Sequence, residues 1–149
     1  MIQKAERIIE AYQKVKPAGC GVIAMDGRAA AGKTTLAEEL AVTLGGAVVH
    51  MDDFFLPGEL RTPERLAAPG GNVHAERFAE EVLPYLRRGE AFRYRRFDCH
   101  RMDYNGWVEI PTVPVIIVEG AYSQYPQFGH YADLTAFCDI TPEEQKRRI

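Results

Sequence analysis

The sequence predicts an α/β protein in which a parallel sheet carries helices on both faces, a three-layer α/β/α stack. Three observations carry that expectation. Short apolar runs at 21–26, 47–51, 115–118 and 134–139 read as buried strands. Segments of helical period lie between them, notably 33–44 and 75–88. The two kinds of segment alternate, which is the pattern of parallel strands joined by crossing helices.

Each element has its own signature. Ile2, Ala5, Ile8, Ile9, Tyr12 and Val15 form one apolar stripe on an N-terminal helix, which Pro17 and Gly19 end. GVIAMD at 21–26 is the first strand, and the glycine-bearing GRAAAG follows it. The helix at 33–44 presents Leu36, Leu40 and Leu44 on one side and stops at Gly45-Gly46. AVVHM at 47–51 is the second strand, with Asp52-Asp53 at its end. The stretch 54–72 is rich in Pro and Gly and reads as a long binding loop. Phe78, Val82, Leu83 and Leu86 keep helical spacing over 75–88, with Pro84 set to bend it. Phe92, Tyr94 and Phe97 suggest a short hairpin arm within 89–114. VIIV at 115–118 is the most hydrophobic strand and runs directly into Glu119-Gly120. LTAFCD at 134–139 is another strand candidate. Thr141, Pro142 and Glu144 open a well-capped helix that stops at Ile149, about two turns in. That early stop predicts a truncated chain or an ordered part that ends here.

With 149 residues the chain suits a single domain spanning 1–149. Its net charge of -3 argues against extended nucleic-acid binding. No stretch approaches the roughly 20 apolar residues of a membrane span, and the N-terminus lacks a signal-peptide core. Three cysteines without close spacing fit a reduced interior, so a cytoplasmic protein without membrane attachment is expected. A homo-oligomer is left open.

The chemistry begins at Gly27-Arg28-Ala29-Ala30-Ala31-Gly32-Lys33-Thr34, which fits G-x-x-x-x-G-K-[ST] at every fixed position. Small residues let the backbone curl so that successive N–H groups face phosphate oxygens. The helix starting at Lys33 adds its positive dipole end. Lys33 brings a full charge to the β and γ phosphates, and Thr34 a hydroxyl for Mg²⁺, with Thr35 beside it. The motif follows a strand and opens a helix, the context that supports ATP and Mg²⁺ as ligands. It makes the expected fold a P-loop NTPase-type sheet.

Right-handed crossovers would bring this loop, Asp52-Asp53 and Glu119 to one carboxyl edge of the sheet. A carboxylate at Glu119 can hold Mg²⁺, and an aspartate near the γ phosphate can take a proton from an attacking hydroxyl. The plainer alternative for such acids is a turn or helix cap.

GRAAAGKTT, MDDFF, the Phe97-Asp98 pair, VIIVEG and ADLTAFCDITPEEQKRRI occur in the order seen in the uridine kinase/phosphoribulokinase family, which the chain resembles over about residues 20–149. The resemblance implies a P-loop kinase domain cut before its lid and C-terminal helix. It implies Asp52 as catalytic base beside Lys33, with Thr34, Asp52 and Glu119 around Mg²⁺. It also implies Phe55 beside the nucleoside, Asp98 on sugar hydroxyls, and Arg147 and Arg148 leading into the lid. Asp53, His74 and His100 are further candidates for the acceptor side. The expected activity is transfer of the ATP γ-phosphate to a hydroxyl of uridine, another nucleoside or a related small metabolite.

The chain departs from the family where its D-H-P is here Val73-His74-Ala75, where Phe97 replaces a tyrosine, and at Cys99. Two other readings stay open. One is a GTPase, since Asp103–Gly106 matches D-x-x-G, although no N-K-x-D occurs. The other is a nucleotide-binding module without catalysis. Arg93, Tyr94, Arg95 and Arg96 could stack nucleic acid, but a solvated hairpin face fits the acidic net charge better. Trp107 and Tyr104 are expected to pack locally, and Cys99 and Cys138 to pack as small apolar groups.

Overall fold

A computed structural model describes residues 2–15, 19–27 and 32–138. The middle of the phosphate loop (Arg28, Ala29, Ala30, Ala31), the helix expected from Thr141, and Arg147 and Arg148 lie outside the described residues.

Four strands form one fully parallel sheet: β1 (Gly21–Gly27), β2 (Ala47–His50), β5 (Val115–Glu119) and β6 (Leu134–Cys138), in the order β2-β5-β1-β6. β1 and β5 lie inside the sheet and are apolar until Asp26 and Glu119 at their carboxyl ends, as burial on both faces requires. Their side chains alternate between two cores. Ile23, Met25, Val115 and Ile117 meet α1 (Ile2–Gln13) and α2 (Lys33–Leu44) through Ala5, Leu36, Ala37 and Leu40. Val22, Ile116 and Val118 face the other way. There they meet α4 (Ala75–Glu81) and an aromatic group of Phe54, Phe78, Tyr94 and Phe128. Phe54 stacks on Tyr94 with centroids 5.1 Å apart and meets Phe78 edge-on at 5.2 Å.

The chain thus has the predicted α/β fold with helices on both faces. The second face is shared between α4 and the antiparallel hairpin of β3 (Phe92–Asp98) and β4 (Asp103–Ile110), which forms its own two-stranded sheet.

Four local readings differ from the structure. The helix expected over 75–88 ends at Glu81 and continues as a 3₁₀ turn at Leu83–Tyr85. Pro84 has no N–H to offer the carbonyl four residues back. The loop at 54–72 contains a short helix, α3 (Pro63–Ala67), whose first turn is capped when Thr62 Oγ1 accepts from Arg65 N at 3.1 Å. Asp52 and Asp53 stand on a 3₁₀ turn, Met51–Phe54, immediately after β2. Cys99, expected to pack, is exposed in the hairpin turn. Among the described residues no helix is long and apolar enough to cross a membrane.

Candidate phosphate-binding and acceptor site

β1 delivers Gly27 to the carboxyl edge of the sheet, and α2 starts again at Lys33. Gly32 caps that helix in the left-handed region, at φ 82°, which explains why a glycine precedes the lysine. Lys33 Nζ donates to Gly27 O at 2.7 Å, drawing the two ends of the phosphate loop together.

β5 lies between β1 and β2, and its register sets Glu119 beside Met25 on one side and His50 on the other. Glu119 has a side chain only 3% exposed. Its Oε1 accepts from Thr34 Oγ1 at 3.2 Å and lies 2.6 Å from His50 Nδ1. The hydrogen bond to Glu119 raises the His50 pKa, against the opposing effect of burial. The Thr34 hydroxyl and Glu119 are thus adjacent although 85 positions separate them in sequence.

Asp52 is exposed, yet the protein around its carboxyl desolvates it and raises its pKa. Glu119 and Asp53 add to the rise, while Lys33 and His50 oppose it. Asp52 therefore shares the field of Lys33 and Glu119, and a carboxylate with an elevated pKa is suited to taking a proton.

Asp53 turns toward the hairpin. Its Oδ2 accepts from Tyr94 Oη at 2.7 Å, its Oδ1 is 3.6 Å from Arg96 Nε, and its carbonyl accepts from Arg77 Nη2 at 2.6 Å. Tyr94 is fully buried, and its phenol pKa is raised by burial first and then by Asp53.

The remaining acceptor candidates lie on the segment after the 3₁₀ turn and on the hairpin. Phe55 stacks on Phe97 of β3 with centroids 6.5 Å apart, carries the Arg61 guanidinium 4.8 Å from its ring, and bridges to Val73. His74 follows, its N–H bonded to Phe54 O at 2.7 Å. Its Nδ1 is buried with no hydrogen-bond partner among the described residues, and burial lowers its pKa. Val73, before it, is buried. Asp98 closes the hairpin turn by accepting from His100 N at 2.9 Å and Arg101 N at 3.4 Å, and His100 is exposed beside it. The Phe55–Phe97 stack links that turn to the sheet edge. Thr35 lies elsewhere, lining a groove of about 610 Å³ between α1 and α2.

Sequence reasoning missed three participants. His50 carried no motif of its own. Tyr94 was visible only as part of an alternation and of the basic patch around Arg93, Arg95 and Arg96. Arg77 is 2% exposed and bonds Asp53 O and Arg95 O at once, with its guanidinium 4.2 Å from the Phe54 ring. Nothing in a helix-spaced arginine announces such a contact.

The donor chemistry fits Mg²⁺. Thr34 and Glu119 offer hard oxygens side by side, with Asp52 in their field. Among the described residues no cluster of three or more His, Cys, Asp or Glu could enclose a metal.

No protein-family model matches the chain. Solved structures do. A possible uridine kinase from Bacillus stearothermophilus superposes with a TM-score of 0.78 at 20% identity, covering 98% of this chain and 85% of that one. A protein described as a fructose transport system kinase, from Silicibacter sp. TM1040, gives a TM-score of 0.76 at 25% identity, covering 97% and 78%. D-glycerate 3-kinase from Cryptococcus neoformans var. grubii gives 0.54 at 21%, covering 81% of this chain and about half (49%) of that one. The chain has the α/β fold of the P-loop kinases, and these neighbours are consistent with the uridine kinase/phosphoribulokinase-like family that its motifs resemble.

Proposed function

We propose that the protein is an ATP-dependent phosphotransferase that moves the γ-phosphate to a hydroxyl of a nucleoside such as uridine or of a related small metabolite. The observation that carries this reading is the meeting of Thr34 and Glu119 at the head of α2, in the shared field of Lys33 and Asp52. Lys33 would hold the β and γ phosphates, and the loop amides and the N-terminus of α2 would orient them. Thr34 and Glu119, with Asp52 close by, would hold Mg²⁺, which when bound neutralises charge developing on the phosphoryl oxygens. Asp52 would take the proton of the attacking hydroxyl. Phe55, Phe97 and His74 would form the acceptor side, with Asp53, Asp98 and His100 beside them.

Val73 in place of an acid removes one contact to vicinal hydroxyls, so uridine is one of several acceptors to test, beside other nucleosides and small hydroxylated metabolites. The kinase-like folds of the neighbours support phosphoryl transfer in general. The GTPase alternative draws no support from Asp103–Gly106, which lies in β4 of the hairpin and outside the parallel sheet.

A coupled ADP-release assay across nucleosides, sugars and hydroxy acids, run with thermal unfolding in ATP, tests the proposal. One acceptor class should stimulate turnover. Asp52→Asn should lower kcat by about 10²–10⁴-fold while ATP still raises the melting temperature. Lys33→Ala should abolish that protection. Unchanged protection in Lys33→Ala, or no stimulation by any acceptor, would count against the reading.

A further inference from the structure

We propose that His50 is the positioning residue for the Glu119 carboxylate, holding it against Thr34 so that a metal-bound nucleotide meets both oxygens already in place. This rests on the phosphotransferase reading above. Three observations carry it. First, the pairing of His50 with Glu119 across β2 and β5 directs both side chains to the same face of the sheet edge. Second, His50 Nδ1 and Thr34 Oγ1 converge on one atom, Glu119 Oε1, at 2.6 and 3.2 Å. Two donors on a single oxygen leave the carboxylate little freedom to rotate. Third, the Glu119 side chain is withdrawn from water whereas His50 is 32% exposed. A buried carboxylate needs donors, and a half-open imidazole is not there to fill the core.

The contact is made through Nδ1, which predicts a specific rescue. The amide nitrogen of asparagine can occupy the Nδ1 position, whereas that of glutamine reaches toward Nε2. Neither a leucine nor a misplaced amide should hold Glu119.

The test measures dissociation constants for a non-hydrolysable ATP analogue with and without Mg²⁺, in the wild-type protein and in His50→Leu, His50→Asn and His50→Gln. Circular dichroism verifies that each is folded. The wild type should bind the analogue more tightly with Mg²⁺. His50→Leu should lose about tenfold or more of that Mg²⁺-dependent gain, with metal-free binding nearly unchanged, and His50→Asn should recover most of it. His50→Gln should resemble His50→Leu. A full Mg²⁺-dependent gain in His50→Leu, or no advantage of Asn over Gln, overturns the proposal. The second comparison stands even where the leucine variant does not fold. A wild type that gains nothing from Mg²⁺ would instead mark failure of the kinase reading itself, and the proposal would fall with it.

Discussion

Single charged contacts steady the loop that leads to His74. Arg65 grips Glu76 through two hydrogen bonds, at 2.6 and 2.8 Å, and donates to Val73 O at 3.1 Å. The Arg65 partnership lowers the Glu76 pKa to about 2 from an ordinary 4.5. Because the folded value lies below the unfolded one, the stabilisation is complete above about pH 4.5 and disappears as the pH falls toward 2. Glu76 is 59% exposed, so solvent screening holds its worth to under about 1 kcal/mol. Urea unfolding of Glu76→Gln between pH 2 and 6 should show a small loss of stability at the upper end. That loss should shrink to nothing at the acid end.

Among the elements, the 3₁₀ turn after β2 depends most on its neighbours. Its four residues face different ways: Met51 and Phe54 are buried, Asp52 is exposed near Lys33, and Asp53 is tied to Tyr94 and Arg96. The loop after β5 presses on this turn at Gly120, which has φ 132° and lies where an added Cβ would come within 2.7 Å of Met51 Cβ. No L-residue takes that backbone without strain, and no backbone shift there leaves Met51 untouched. Gly120→Ala should therefore lower stability by about 1–3 kcal/mol in thermal unfolding. It should also weaken turnover, because the displaced turn carries Asp52 and Gly120 directly follows Glu119.

At the scale of the whole molecule, two cores share the same central strands. β5 gives Val115 and Ile117 to the side of α1 and α2, and Ile116 and Val118 to the side of α4 and the hairpin. Its C-terminal residue is Glu119, so sheet packing and site geometry rest on one strand. Ile117 is fully buried and pairs with Ile23 of β1 and Val48 of β2. Ile117→Ala should cost about 2–5 kcal/mol, the transfer loss plus the cavity left between rigid neighbours. In urea it should shift the midpoint and leave the slope unchanged.

Much of this was written in local patterns. The strands at 21–27 and 115–119 were legible because interior strands buried on both faces carry near-continuous apolar runs, and those at 47–50 and 134–138 because short apolar runs mark the edge strands as well. Gly32, Lys33 and Thr34 were legible because phosphate binding demands those residue types at that spacing. The start of α3 was also available, since Thr62-Pro63 repeats the Thr-Pro opening read at Thr141-Pro142, but the surrounding prolines and glycines obscured it. The pairing of His50 with Glu119, the turning of Asp53 toward Tyr94, and the reach of buried Arg77 from α4 to the hairpin were not legible. Sequence by itself determined which segments fold locally and which residue types can meet a triphosphate, because propensity, burial and motif spacing act over a few residues. Only the tertiary structure decided which acid faces Lys33 and which faces the hairpin, because strand order and register, set by the whole sheet, bring together side chains far apart in the chain.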